Sequence, residues 1–249
     1  MTGSMTQTAY QISGADRPGR WLVTCDHATN IVPDWVNDGD LGLPAAEMGR
    51  HIAYDIGAEG VALALGAALD SPVVASRFSR LVIDPNRGEQ DPTLLMRLYD
   101  GTVIPANARA DAAELTRRLQ RLHRPYHRAV ADLAASRRDP VICAIHSFTP
   151  RLKGRAPRPW EIGVLYAADA RLAHPFIAAC RAQGWITGDN QPYSGHLPGD
   201  SVDRHALQHG RPNLLIELRH DLIDTAQGQA DWAARLAPIL QQVLAETGL

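Results

Sequence analysis

His27, His146 and Glu217 are the residues of this sequence best placed to do chemistry. Each stands at or near the end of a short apolar run: His27 after Trp21–Cys25 (WLVTC), His146 after Val141–Ile145 (VICAI) and Glu217 within Leu214–Leu218 (LLIEL). Such runs read as buried strands, and open α/β sheets bind ligands in the crevice beyond the carboxyl ends of their strands. Two imidazoles and a carboxylate delivered there from three separate strands suit a zinc hydrolase. Neutral imidazoles bind the ion, the ion lowers the pKa of a bound water toward about 7 and polarises a carbonyl, and a carboxylate outside the ligand set acts as general base. A histidine at a strand end can equally be a structural residue. A glutamate inside a buried strand is harder to dismiss, because an unpaired buried carboxylate is costly. Its nearest partner in sequence is Arg219, two residues on, which the strand period would put on the same face.

A second group lies in Ser79–Arg87 (SRLVIDPNR), where Arg80 and Arg87 flank a short apolar stretch and Asp84 and Asn86 follow it. The planar fork of arginine matches a carboxylate, so this pair suits a small substrate bearing one or two carboxylates, although two surface arginines would look the same. Other candidates carry less. His123 and His127 share a helix face but have no third ligand nearby, which favours a structural or surface role. His51 and Asp55 could line the pocket or support a ligand. Tyr193 and His196 sit in a loop rich in glycine and proline that could close over substrate.

The elements that must position these residues alternate. Strands are expected over Trp21–Cys25, Pro72–Ala75, Leu81–Asp84, Val141–Ile145, Ile162–Ala167 and Leu214–Leu218. Helices are expected after Pro44, with Ile52, Ile56 and Leu63 at helical spacing, and over roughly Asp169–Gln183. The clearest amphipathic pattern runs from Asp111 through Leu115, Leu119, Leu122, Tyr126, Val130 and Leu133, with Pro125 expected to kink or divide it. A closing helix carries Trp232, Leu236, Leu240 and Leu244, and Asp189–Ser201 reads as a long loop. This alternation predicts an α/β fold: a single domain over residues 21–249 with a mostly parallel, mixed sheet flanked by helices, preceded by a flexible leader over residues 1–20.

Composition excludes several classes. With Lys+Arg at 25 against Asp+Glu at 27 and no long run of one sign, neither a nucleic-acid face nor a membrane-surface helix is indicated. The longest apolar stretch, Val61–Leu69, is too short to span a bilayer, and the first twenty residues lack the apolar core of a signal peptide. Three widely spaced cysteines, Cys25, Cys143 and Cys180, make neither a disulfide framework nor a Cys-only zinc site. These features predict a cytoplasmic protein in a reducing compartment.

The runs CDHATNIVP (25–33), GRHIAYDIGA (49–58), SRLVIDPNR (79–87), GTVIPAN (101–107), AIHS (144–147), NQPYSG (190–195) and LIELRHDLI (215–223) follow one another in an order that resembles the N-formylglutamate amidohydrolases. The resemblance spans about residues 21–225 and implies a fold like that of the zinc carboxypeptidases. It implies His27 and His146 as ligands of a zinc or other divalent ion, and Glu217 as the catalytic base. It also implies Arg80, Asn86, Arg87 and Tyr193 as binders of a small carboxylate-bearing substrate. Asn30 occupies the third-ligand position, where the carboxypeptidase pattern has glutamate. Asn30, Glu47, Asp55 or a water would complete the shell. The implied activity is hydrolysis of a small N-acylated amino acid, N-formyl-L-glutamate first. Two rivals accompany it: a thiol amidase using Cys25 or Cys143 beside a histidine, and a non-catalytic member that only binds acylated amino acids.

Overall fold

The structure is a computed structural model and describes residues 8–195 and 197–249. Among the described residues nine strands form: β1 Tyr10–Ser13, β2 Trp21–Cys25, β3 Val73–Ser76, β4 Leu98–Tyr99, β5 Thr102–Val103, β6 Val141–Phe148, β7 Ile162–Leu165, β8 Thr187–Asp189 and β9 Asn213–Arg219. The α-helices are α1 Ala45–Met48, α2 Ala58–Ala68, α3 Pro105–Ala108, α4 Ala112–Arg118, α5 Arg124–Ala135, α6 Ala173–Ala182, α7 Ser201–His205 and α8 Ala226–Thr247. Among the described residues none is long and apolar enough to cross a membrane.

Seven strands form one sheet in the order β1-β3-β2-β6-β9-β7-β8. Strands β3, β2, β6 and β9 run parallel, while β1 is antiparallel to β3 and β7 antiparallel to β9. The fold is therefore the mixed, mostly parallel α/β sheet that the alternating pattern predicts. Strand β6 is buried along its whole length, as a central parallel strand covered on both faces must be. Its residues alternate between two cores. Cys143 and Ile145 pack with Val61 and Leu65 of α2 and Leu236 and Leu240 of α8; Ile142 and Ala144 pack with Tyr126 and Val130 of α5.

Three expectations need correction. The loose leader does not reach residue 20, because Tyr10–Ser13 pairs with Val73–Ser76 as an edge strand; residues 1–7 lie outside the described residues. The helix expected after Pro44 is two helices, α1 and α2, separated by the turns that carry Asp55. Leu81–Asp84 is a buried turn-rich segment rather than a strand. Ser79 explains the last difference: its hydroxyl donates to Ala53 O (2.7 Å) and accepts from Leu81 N (3.1 Å), offering the backbone an alternative to a ladder. The division at Pro125 is as expected. A π-helical turn, Leu119–His123, precedes it, and Arg124 N bonds Leu119 O where proline can offer no N–H.

The buried segment after Ser79 is held by a polar plug. Asn107 Nδ2 donates to Leu81 O and Met96 O (both 2.7 Å), while Arg118 Nη1 donates to Val82 O and Asn107 Oδ1 (both 2.7 Å). Asn107 and Arg118 are both buried, so removing one partner leaves others unsatisfied. Asn107→Ala is expected to destabilise the protein by about 3 kcal/mol, read from the urea midpoint at unchanged m-value. A loss below about 1 kcal/mol would mean that water replaces the amide.

Candidate functional site: a buried His–Asp–His cluster

The chain changes direction across the sheet between β2 and β6: β2 leads to β3 on one side, and β3 crosses to β6 on the other. The crevice at the carboxyl ends of that pair is where an open α/β sheet binds its ligand. His27 follows β2 and His146 lies near the end of β6, with their ring centroids 5.0 Å apart. Asp55, from the turn before α2, places one carboxylate oxygen between them, 2.9 Å from His146 Nδ1 and 3.3 Å from His27 Nδ1. That oxygen also accepts from Ser147 N at 3.2 Å.

Each histidine turns its other nitrogen toward a further buried carboxylate. His27 Nε2 is 2.7 Å from Asp84 Oδ1, and His146 Nε2 is 3.4 Å from Asp26 Oδ2. This is how a metal-ligating histidine is usually oriented, with the far N–H directed to a carboxylate and the near lone pair to the ion. The outer carboxylates are themselves anchored. Asp84 accepts from Arg80 Nη2 (2.8 Å) and Asn86 N (2.9 Å); Asp26 accepts from the hydroxyls of Tyr126 and Ser201.

The electrostatics of the cluster favour a cation. Burial alone would raise the Asp55 carboxyl, but His27 and His146 hold it well below the usual carboxylate range. Burial works against a charge on His146, yet Asp26 and Asp55 outweigh it and push the imidazole well above its usual range. One ligand atom from each of His27, Asp55 and His146 falls within 4.8 Å of the other two. Two nitrogen donors and one oxygen donor, beside a cavity, fit a catalytic divalent metal site with an open position.

Asp55, rather than Asn30, is the third member. Asn30 Nδ2 donates to Met48 O at 2.9 Å, and Asn30 is not among the residues that line the cavity. Glu47 is likewise occupied, by Arg50 and Thr102. The cavity is lined by His27, His51, Asp55, His146 and Glu217, and it also receives Arg80, Asn86, Arg87 and Tyr193. Arg80 is tied to Asp84 at 2.8 Å and Asp55 at 3.5 Å, whereas Arg87 has no carboxylate within salt-bridge distance among the described residues. His196 lies outside the described residues.

Glu217 sits opposite His146 in register and opposite Gly163 on the other side. A side chain at Gly163 would place Cβ 2.1 Å from Gln191 O, so glycine is needed where the 190s loop crosses beside the glutamate. Arg219 does not neutralise Glu217, because its guanidinium is engaged by Asp221. Glu217 Oε2 is buried without a partner among the described residues, and burial pushes the carboxyl up to about 7.

Sequence reasoning missed the supporting roles of Asp26, Asp84, Tyr126 and Ser201, and did not mark Asp200, a buried carboxyl on the cavity wall that burial raises to about 6. The available signal was charge inside apolar runs, as in CDH and VIDP. His123 and His127 are not surface residues: both are buried, and His127 Nδ1 lies 2.8 Å from His205 Nε2.

The thiols are poor nucleophiles. Cys25, Cys143 and Cys180 have no exposed surface, and burial pushes Cys143 and Cys180 up to about 12 and Cys25 well above its usual range. Iodoacetamide at pH 7 is therefore expected to leave all three unmodified in the folded protein, as mass spectrometry would show. Rapid labelling of Cys25 would restore the thiol mechanism.

The N-formylglutamate amidohydrolase family pattern matches residues 19–224. The crystal structure of gene product Atu2144 from Agrobacterium tumefaciens is 35% identical, with a TM-score of 0.90 and 97% of each chain covered. N-formylglutamate amidohydrolase from Ralstonia eutropha JMP134 shares the fold at 19% identity and a TM-score of 0.64, covering 96% of this chain and 98% of that one. No curated protein sequence matches the chain. With the family pattern covering most of its length, the chain belongs to the N-formylglutamate amidohydrolase family.

Proposed function

We propose that the protein is a metal-dependent hydrolase of small N-acylated amino acids, with N-formyl-L-glutamate cleaved to formate and L-glutamate. The observation that carries this reading is the buried Glu217 carboxyl, without a partner for Oε2 among the described residues and lining the same cavity as the His27–Asp55–His146 cluster. His27, Asp55 and His146 would hold a divalent ion, zinc by the nature of the donors, which would supply Lewis acidity to polarise the acyl carbonyl and acidify water.

Glu217 takes a proton from the attacking water as the new C–O bond forms at the acyl carbon. It returns that proton to the amine as the C–N bond breaks, so the carboxylate ends as it began. A carboxyl raised to about 7 by burial suits both halves of this transfer near neutral pH. Asp26 and Asp84 keep the two imidazoles turned so that each Nδ1 faces Asp55. Arg87, Asn86 and Tyr193 take the carboxylates of the substrate. Arg80, whose Nε–H has no partner among the described residues, adds a donor from the same wall. Holding the substrate at both ends makes attack effectively unimolecular.

Metal content and turnover test the reading together. The purified protein is expected to hold about one zinc per chain and to release formate from N-formyl-L-glutamate, with activity lost on chelation and restored by zinc. His27→Ala and His146→Ala should lose metal and activity alike. Glu217→Gln should keep the metal while kcat falls by about 10²- to 10⁴-fold. A fully active, metal-free protein would sink the mechanism; metal without formate release would sink only the substrate.

A further inference from the structure

Arg158 belongs to no part of the site so far described, yet it touches one of its walls. It lies beyond the end of β6, where its backbone N–H bonds Pro150 O at 2.8 Å. Its Nη1 donates to Thr149 O and to Tyr193 Oη, each at 3.1 Å. The guanidinium also stands over the Tyr193 ring, 4.9 Å from its centroid, and over that of Phe148 at 5.7 Å. No carboxylate comes within salt-bridge distance of Arg158 among the described residues, so its charge is directed at the tyrosine rather than cancelled by an acid.

Tyr193 lines the cavity while remaining 40% exposed, so packing alone does not fix its ring. The loop that carries it is pinned on both sides. Asn190 Oδ1 accepts from Tyr166 N (3.0 Å), and at Gly195 the backbone lies so close that a Cβ would sit 2.1 Å from Tyr166 N. Between these anchors Arg158 is the one polar partner of the Tyr193 hydroxyl among the described residues. A phenol has one proton to donate and two lone pairs to accept with. By donating to Oη, Arg158 fills an accepting position and leaves the proton without an acceptor among the described residues. A guanidinium against the ring and oxygen also polarises the O–H bond, making it a stronger donor.

We propose that Arg158 is a positioning residue for substrate recognition: it holds Tyr193 with its hydroxyl proton directed into the cavity, as a hydrogen-bond donor to a carboxylate of the N-acylated amino acid. This role rests on the substrate chemistry proposed above. Arg87 is the charged carboxylate partner in that chemistry, and the Arg158–Tyr193 pair supplies a neutral donor whose direction is set from behind.

The zinc-loaded protein tests the role through the split between KM and kcat. Arg158→Ala is expected to raise KM for N-formyl-L-glutamate about tenfold, the size of one lost hydrogen bond, with kcat within about twofold and zinc content and Tm unchanged. Tyr193→Phe should raise KM equally, and the double variant should be no worse than Tyr193→Phe alone, because the two act through one hydroxyl. Arg158→Lys, which can still donate to Oη, should recover most of the loss. An unchanged KM in Arg158→Ala, or additive losses in the double variant, would overturn the proposal. Calorimetric titration with L-glutamate separates this from failure of the hydrolase reading. Binding without turnover in the wild type, weakened about tenfold by Arg158→Ala, would defeat the reaction and keep the clamp. Binding absent from the wild type, or unchanged in Arg158→Ala, would defeat the clamp.

Discussion

Asp55 lies buried between two histidines, and much of the surrounding structure follows from the need to keep that charge satisfied. A buried carboxylate is tolerated only when cations or several donors surround it, and losing one of them costs more than the contact itself is worth. Asp55 has His27, His146 and Ser147 N. The histidines in turn call for acceptors on their far side, which brings in Asp84 and Asp26, two more buried carboxylates with needs of their own. Asp84 recruits Arg80 and the Asn86 backbone, and Asp26 recruits Tyr126 of α5 and Ser201 of α7. The 79–87 segment and two helices are thus oriented by one electrostatic chain that starts at the centre of the cavity.

Glu217 stands outside that compensation. It shares the cavity with the cluster, occupies β9 beside the strand of His146, and retains an oxygen with no partner among the described residues. Asp26, Asp55 and Asp84 each accept at least two hydrogen bonds, whereas none to Glu217 forms among the described residues, which marks Glu217 as the group whose proton affinity is put to use. The amidohydrolase family to which the chain belongs gives that group a reaction to serve. Asp200, raised by burial on the same wall, differs in that its carboxylate caps α7 through Asp203 N.

The cavity walls divide the work differently from a row of equivalent arginines. Among the described residues Arg80 gives its Nη groups to aspartates and keeps only Nε free, Arg87 has no carboxylate partner, and Arg158 acts on Tyr193 from behind. Charge count alone would have treated the three alike. Their partners decide which can meet a substrate, and those partners come from distant parts of the chain.

The strands that carry His27, His146 and Glu217 were legible in the sequence because a strand buried on both faces must be a continuous apolar run, and WLVTC, VICAI and LLIEL are such runs. The division of the long helix at Pro125 was legible for an equally local reason, the missing N–H. Motif order along the chain also pointed to the family. Leu81–Asp84 misled because an apolar run reports burial and not backbone shape; its carbonyls are satisfied by Asn107 and Arg118, side chains that sequence proximity does not bring there. The third member of the cluster was undecided for the same reason. Asn30 lies three residues from His27 in the chain, but its amide turns to Met48, while Asp55 reaches both histidines only because the turn before α2 folds back over the ends of β2 and β6. Local chemistry is written in neighbouring residues, whereas the pairing of buried charges is settled by which segments the sheet brings within about 3 Å of one another.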